Sequence, residues 1–167
     1  MGMKKETIKE LIIYVSIILF IILIRTFVIT PVRVNGNSMN DTLKDGEILI
    51  LDKVSYRFND IKRFDIVVID HKTEKFIKRV IGLPGETLKI ENGNLFINEK
   101  LVKEDYLNQK TEDFIYDGVI PDNCYYAMGD NRGDSLDSRY FGCFMKENID
   151  GKVNFTVFPF SKFGKIN

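Results

Sequence analysis

Hydrophobic and polar positions divide the chain near residue 30. Residues 11–24 read LIIYVSIILFIILI and are apolar apart from Tyr14 and Ser16. At a helical rise of about 1.5 Å per residue this run reaches only about 21 Å, short of the ~30 Å hydrocarbon core of a bilayer. Extending it over residues 8–29 supplies the length, with Arg25 snorkelling to the far interface. No polar face interrupts the run, which argues against a buried helix of a soluble domain. Lys4, Lys5 and Lys9 precede it, so the positive-inside rule puts the N-terminus in the cytoplasm and the rest of the chain beyond the membrane. A cleaved leader is the competing reading. It lacks an A-x-A site, and Arg25 and Arg33 stand where small neutral residues are expected, so an uncleaved anchor is preferred.

After Pro31 the pattern changes to short β-type runs separated by turn signals. Residues 46–53 (GEILILDK), 64–70 (FDIVVID) and 75–82 (KFIKRVIG) read as strands. Residues 86–102 read as a meander, with Asn92-Gly93 as its hairpin turn. Residues 124–130 and 152–160 are further strands, and Pro84-Gly85 turns the chain after the third. Residues 104–123 are polar and irregular and read as a long loop. The expected fold is mostly β: residues 1–30 form a cytoplasmic N-terminus and a single transmembrane helix, and residues 31–167 one compact extracytoplasmic β domain.

Composition removes several chemistries. With 24 Lys+Arg against 24 Asp+Glu the chain is formally neutral, unlike a protein that grips nucleic-acid backbones. One histidine and two cysteines cannot by themselves supply the three or four ligands of a His/Cys zinc site. His71 would have to serve any Ser-His-Asp triad alone. Cys124 and Cys143 leave both a disulfide and two free thiols open.

Three segments look unlike ordinary strand or loop: residues 36–43 (GNSMNDTL), 78–86 (KRVIGLPGE) and 128–142 (MGDNRGDSLDSRYFG). Taken singly, the first is a turn with a serine in it and the third an Asx-rich surface loop. In this order, behind an apolar anchor, they resemble the boxes of the bacterial type I signal peptidases. Those boxes read here as G-x-S-M-x-x-T-L, K-R-V-I-G-L-P-G-E and G-D-N-R-x-x-S-x-D-S-R-Y-F-G. The intervening strands also resemble the family, so the likeness covers nearly the whole chain. The compact length is similar to the smaller Gram-positive members.

The resemblance implies a β-rich peptidase that works through a Ser-Lys dyad, with Ser38 as nucleophile and Lys78 as general base. A lysine with an ordinary pKa near 10.4 is protonated at neutral pH and cannot accept a proton, so burial has to lower it. Strand alternation puts Phe76, Lys78 and Val80 on one face and Ile77, Arg79 and Ile81 on the other. Arg79 is thus expected to point away from the pocket and stay hydrated. By resemblance, Ser135 hydrogen-bonds the Lys78 amine, Asp137 pairs with Arg139, and Asp130 joins that pair. An oxyanion requires preorganised donors. The Ser38 N–H is one candidate, and Gly36 stands where some members carry a second, serine donor. Val32, Val34, Leu49, Val68, Phe76 and Ile77 are expected to line shallow apolar subsites, with Met39 and Leu43 near the one for the residue before the scissile bond. One departure is Asp41, which occupies the place of the family's usual proline and is expected to loosen the Ser38 loop.

The implied substrates are secretory preproteins, cut after small residues at −3 and −1 at the bilayer surface, through an acyl-enzyme, by a monomer with no metal or organic cofactor. Two other readings remain open. One is a membrane-anchored β module whose site has decayed. The other is a self-cleaving Ser-Lys repressor-like protein, which the apolar run and the zero net charge disfavour.

Overall fold

The computed structural model describes residues 5–166, so Lys4 lies outside the described residues. Helix α1 (Lys5–Phe27) carries the apolar run. Its 23 residues span about 34 Å, enough for a hydrocarbon core. Over Glu6–Phe27 it is long and apolar enough to cross a membrane, and none of its most apolar window is buried by protein. The helix stops two residues short of the expected Ile29, because Ile29 already belongs to strand β1 (Ile29–Arg33). Strand pairing of Ile29 with Asp52 wins over continued helix there.

Antiparallel strands follow: β2 (Ile48–Asp52), β3 (Ile66–His71), β4 (Glu74–Gly82), β5 (Leu88–Glu91), β6 (Asn94–Ile97) and β7 (Lys100–Val102). After them come β8 (Phe114–Ile115), β9 (Cys124–Met128), β10 (Phe144–Met145), β11 (Ile149–Phe158) and β12 (Gly164–Lys165). Short helices α2 (Ser55–Phe58) and α3 (Ser138–Phe141) interrupt them. The larger sheet runs β1-β2-β11-β3-β4-β9-β10 with β12 on β11, and the smaller runs β7-β6-β5-β8.

Local sequence explains most of this. In β2, Leu49 and Leu51 alternate inward between more exposed neighbours, the mark of a strand covered on one face. Residues 66–69 of β3 are buried without interruption, because β3 lies mid-sheet between β11 and β4 with both faces covered. Asn92 (φ 53°) and Gly93 (φ 78°) both take positive φ, as a two-residue type I′ hairpin requires. β11 ends at Phe158, ahead of Pro159, which has no N–H to give a ladder.

Residues 104–123 are not a featureless loop. Phe114 and Ile115 pair with β5, and Ile120 is fully buried in the core of the smaller sheet. Cys124 and Cys143 are joined in a disulfide. Beneath the first candidate segment a second cluster gathers Val34, Met39, Leu43, Leu49, Val68 and neighbours, and this cluster floors the site.

Candidate active site

Ser38 sits on a tight loop between β1 and β2. Met39 and Leu43 pin the loop from below, each 1% exposed in the core, and Leu43 N–H closes a turn on Met39 O. On the open side Gly36 N–H donates to Asp45 Oδ1. From above, Asn131 N–H donates to Ser38 O (3.0 Å) and its Nδ2 donates to Asn37 O (3.1 Å). Asn131 thereby holds the carbonyls of Asn37 and Ser38 and leaves the serine hydroxyl to Lys78.

That hydroxyl meets Lys78. Nζ lies 2.6 Å from Ser38 Oγ, and Lys78 is only 2% exposed. Burial lowers the Lys78 pKa to about 8, although the carboxylates of Asp137 and Asp130 pull it back up. A fraction of the lysine is therefore neutral near physiological pH. In that form Nζ can accept the Ser38 O–H proton across the same 2.6 Å contact.

The loop after β9 carries the supporting groups. Gly129 is the only residue type that fits at its start. A Cβ there would lie 2.2 Å from Ser135 Oγ and 2.4 Å from Ser38 O. Asp137 is completely buried, accepts from Gly129 N–H, and pairs with Arg139 Nε (2.9 Å) and Nη2 (2.8 Å). Burial alone would raise the Asp137 pKa. The Arg139 and Gly129 donors outweigh it and hold the carboxyl below the usual range.

Three expectations need correction. Asp130 does not join the Asp137–Arg139 pair. It binds Arg79 through Nε (2.9 Å) and Nη2 (2.7 Å), and accepts from Thr42 Oγ1 (2.6 Å). Arg79 does turn away from Lys78, but it is not hydrated: it is 5% exposed and stacks on the Tyr106 ring at 3.9 Å. The strand face was legible, whereas what packs on that face comes from other elements: Thr42, Phe64, Tyr106 and Asp130. Ser135 Oγ makes no hydrogen bond to Lys78. It is buried beside the Asp137 carboxylate, which it helps keep ionised, and has no hydrogen-bond partner within bonding distance among the described residues.

Beside the dyad runs a groove of about 320 Å³, walled by Val32, Val34, Met39, Val68, Phe76 and Ile77. Arg33, Asn35 and Lys75 add polar edges. Leu43 and Leu49 are absent from its surface. They lie in the core below, at 1% and 0% exposure, where they support Met39 and Val68. Gly36 adopts φ +86° beside open space and brings no side-chain donor. Three residues of the site had not been singled out: Asn131, Thr42 and Arg132. Arg132 donates to Gly129 O and Thr111 Oγ1 and pairs with Glu104, tying the loop to the segment after β7. The signal for Asn131 and Arg132 lay in their own donor-rich segment, since a turn so rich in donors needs acceptors nearby.

The family described as signal peptidase, peptidase S26, matches this chain over residues 5–158. The chain belongs to that family. It is 39% identical over 155 residues to signal peptidase I of Bacillus amyloliquefaciens, across 86% of this chain and 84% of that protein. It is 35% identical over 180 residues to signal peptidase IB of Staphylococcus aureus, across 96% and 94%. The crystal structure of a signal peptidase I from Enterococcus faecalis is 34% identical, with a TM-score of 0.52 over 56% of this chain and 97% of that one. The mostly-β fold and the assignment as a serine-family peptidase follow. The segments that resembled the family thus converge in space around one serine and one buried lysine.

Proposed function

We propose that the chain is a membrane-anchored endopeptidase that removes signal peptides from secretory preproteins, with Ser38 as nucleophile and Lys78 as general base. The observation that carries this is the 2.6 Å contact between Ser38 Oγ and a buried lysine whose pKa is drawn down to about 8. Neutral Lys78 takes the Ser38 proton while Oγ attacks the scissile carbonyl. The Ser38 N–H donates to the developing oxyanion, with backbone or water as the second donor. Protonated Lys78 then gives its proton to the leaving amine, and the acyl-enzyme forms. Lys78 next deprotonates water, which attacks the ester and frees the serine.

The shallow apolar groove favours small side chains at −3 and −1 by steric exclusion of larger ones. Residues 1–30 serve as a single-pass anchor with a cytoplasmic N-terminus, and residues 31–167 form an outward catalytic domain that acts as a monomer at the lipid surface. A disulfide supports that orientation, because such bonds persist in oxidising compartments. Processing of an Ala-x-Ala preprotein in detergent by wild type, Ser38→Ala and Lys78→Ala tests the reading. Cleavage at the −1/+1 bond that either substitution abolishes supports it, and an inert wild type on several preproteins refutes it.

A further inference from the structure

The site's supporting loop begins and ends at the two cysteines. Cys124 opens β9 and Cys143 follows α3, and the bond joins them with Cα atoms 5.6 Å apart across a sequence separation of 19. Asp130, Ser135, Asp137 and Arg139 all lie inside that closed stretch. The outgoing strand is tied to the returning segment at three more points: Ala127 N–H on Ser138 Oγ, Gly129 N–H on Asp137, and Tyr125 opposite Phe144. The returning segment also reaches the groove. Phe141 stacks on Phe76 at 5.7 Å, and Phe76 is the ring 5.5 Å from Lys78 Nζ.

We infer that oxidation of Cys124 and Cys143 is a maturation step that sets the loop supporting Lys78, so that the chain is itself a client of a thiol–disulfide oxidoreductase before it reaches full activity. The inference rests on the Ser38–Lys78 reading for its activity readout. The two thiols give up two protons and two electrons, the sulfurs bond, and the donor's disulfide leaves as a dithiol. Cross-linking narrows the unfolded and locally opened ensembles, and a closed loop of this length is a substantial constraint. An unpinned α3 lets the Asp137 carboxylate, the Phe141 ring and the dry wall around Lys78 fluctuate together. Water entering that wall favours the ammonium form and returns the lysine toward its ordinary pKa.

The test compares full-length protein in detergent, oxidised with oxidised glutathione, against protein kept in dithiothreitol with both thiols counted. A Cys124→Ala/Cys143→Ala variant covers the case in which the native bond resists reductant. The expected result is at least a tenfold loss of preprotein cleavage in the open forms, restored on reoxidation of the wild type only. The rising limb of the pH–rate profile moves above 8 in the open forms, and backbone amides of residues 129–142 exchange faster while the far-ultraviolet spectrum is unchanged. Equal rates and equal pH profiles in the oxidised, reduced and double-alanine proteins would overturn the inference and leave the peptidase reading intact. An oxidised protein that cleaves nothing counts against the peptidase reading instead, and the exchange data then decide the loop claim alone.

Discussion

Arg79 and Asp130 form a two-point ion pair directly beside the candidate dyad, with Arg79 Nη2 2.7 Å from Asp130 Oδ2 and both side chains nearly without solvent. Arg79 follows Lys78 in β4, and Asp130 follows Gly129 in the loop that holds Ser38, so this pair fixes the distance between strand and loop. Buried pairs add little over apolar replacements, but losing one partner strands the other charge.

Asp130→Ala is therefore expected to cost about 3–5 kcal/mol of unfolding free energy, as is usual when a buried charge loses its partner. Arg79→Met/Asp130→Leu is expected to cost less than Asp130→Ala. Urea unfolding of all three proteins checks this. A double variant that costs as much as Asp130→Ala or more would contradict this, since no stranded charge then accounts for the loss.

Lys78 gives a stability prediction with a definite sign. Its folded pKa of about 8 lies below the ordinary lysine value of 10.5, so between those values the unfolded chain binds more protons and stability rises with pH. Below pH 8 the folded state carries the full cost of a buried ammonium, up to about 3 kcal/mol at ~1.4 kcal/mol per pKa unit. Lys78→Met should thus be inactive yet more stable than wild type at pH 7. That advantage should shrink as the pH rises from 8 toward 10.5. Unfolding midpoints measured across this range would show a constant gap if the lysine were instead solvated.

Asp41 takes φ +84°, a conformation closed to proline, whose ring fixes φ near −65°. The expectation of a loosened copy of the proline-bearing loop is thus replaced by a different backbone path. Asp41→Pro is expected to destabilise the Ser38 loop by more than about 1 kcal/mol and to slow cleavage, whereas Asp41→Gly is tolerated. Thermal unfolding and preprotein processing of the two variants provide the check. Faster cleavage by Asp41→Pro would show that the loop prefers the proline-compatible path.

Much of the molecule was legible in the order of its residues. The apolar run, the Asn92-Gly93 hairpin and the alternation that aims Lys78 away from Arg79 are local features, and local periodicity reports them well. Contacts that depend on distant segments were not legible. Nothing near Arg79 announces Asp130 or Tyr106, and two cysteines do not reveal whether they pair. Leu43 and Leu49 read as subsite residues by their positions under the family resemblance. The fold gives them to the core, where the same apolar chemistry serves packing. β8 was missed because two residues, Phe114 and Ile115, are too short a run to show a period.

The pH dependence of kcat/KM for an Ala-x-Ala preprotein tests the central claim most directly, because it reports the free enzyme's essential base. A rising limb with a midpoint near 8, set by burial of Lys78, is expected, together with no activity in Lys78→Ala at any pH. A midpoint at the ordinary lysine value, or cleavage that survives Lys78→Ala, would contradict it.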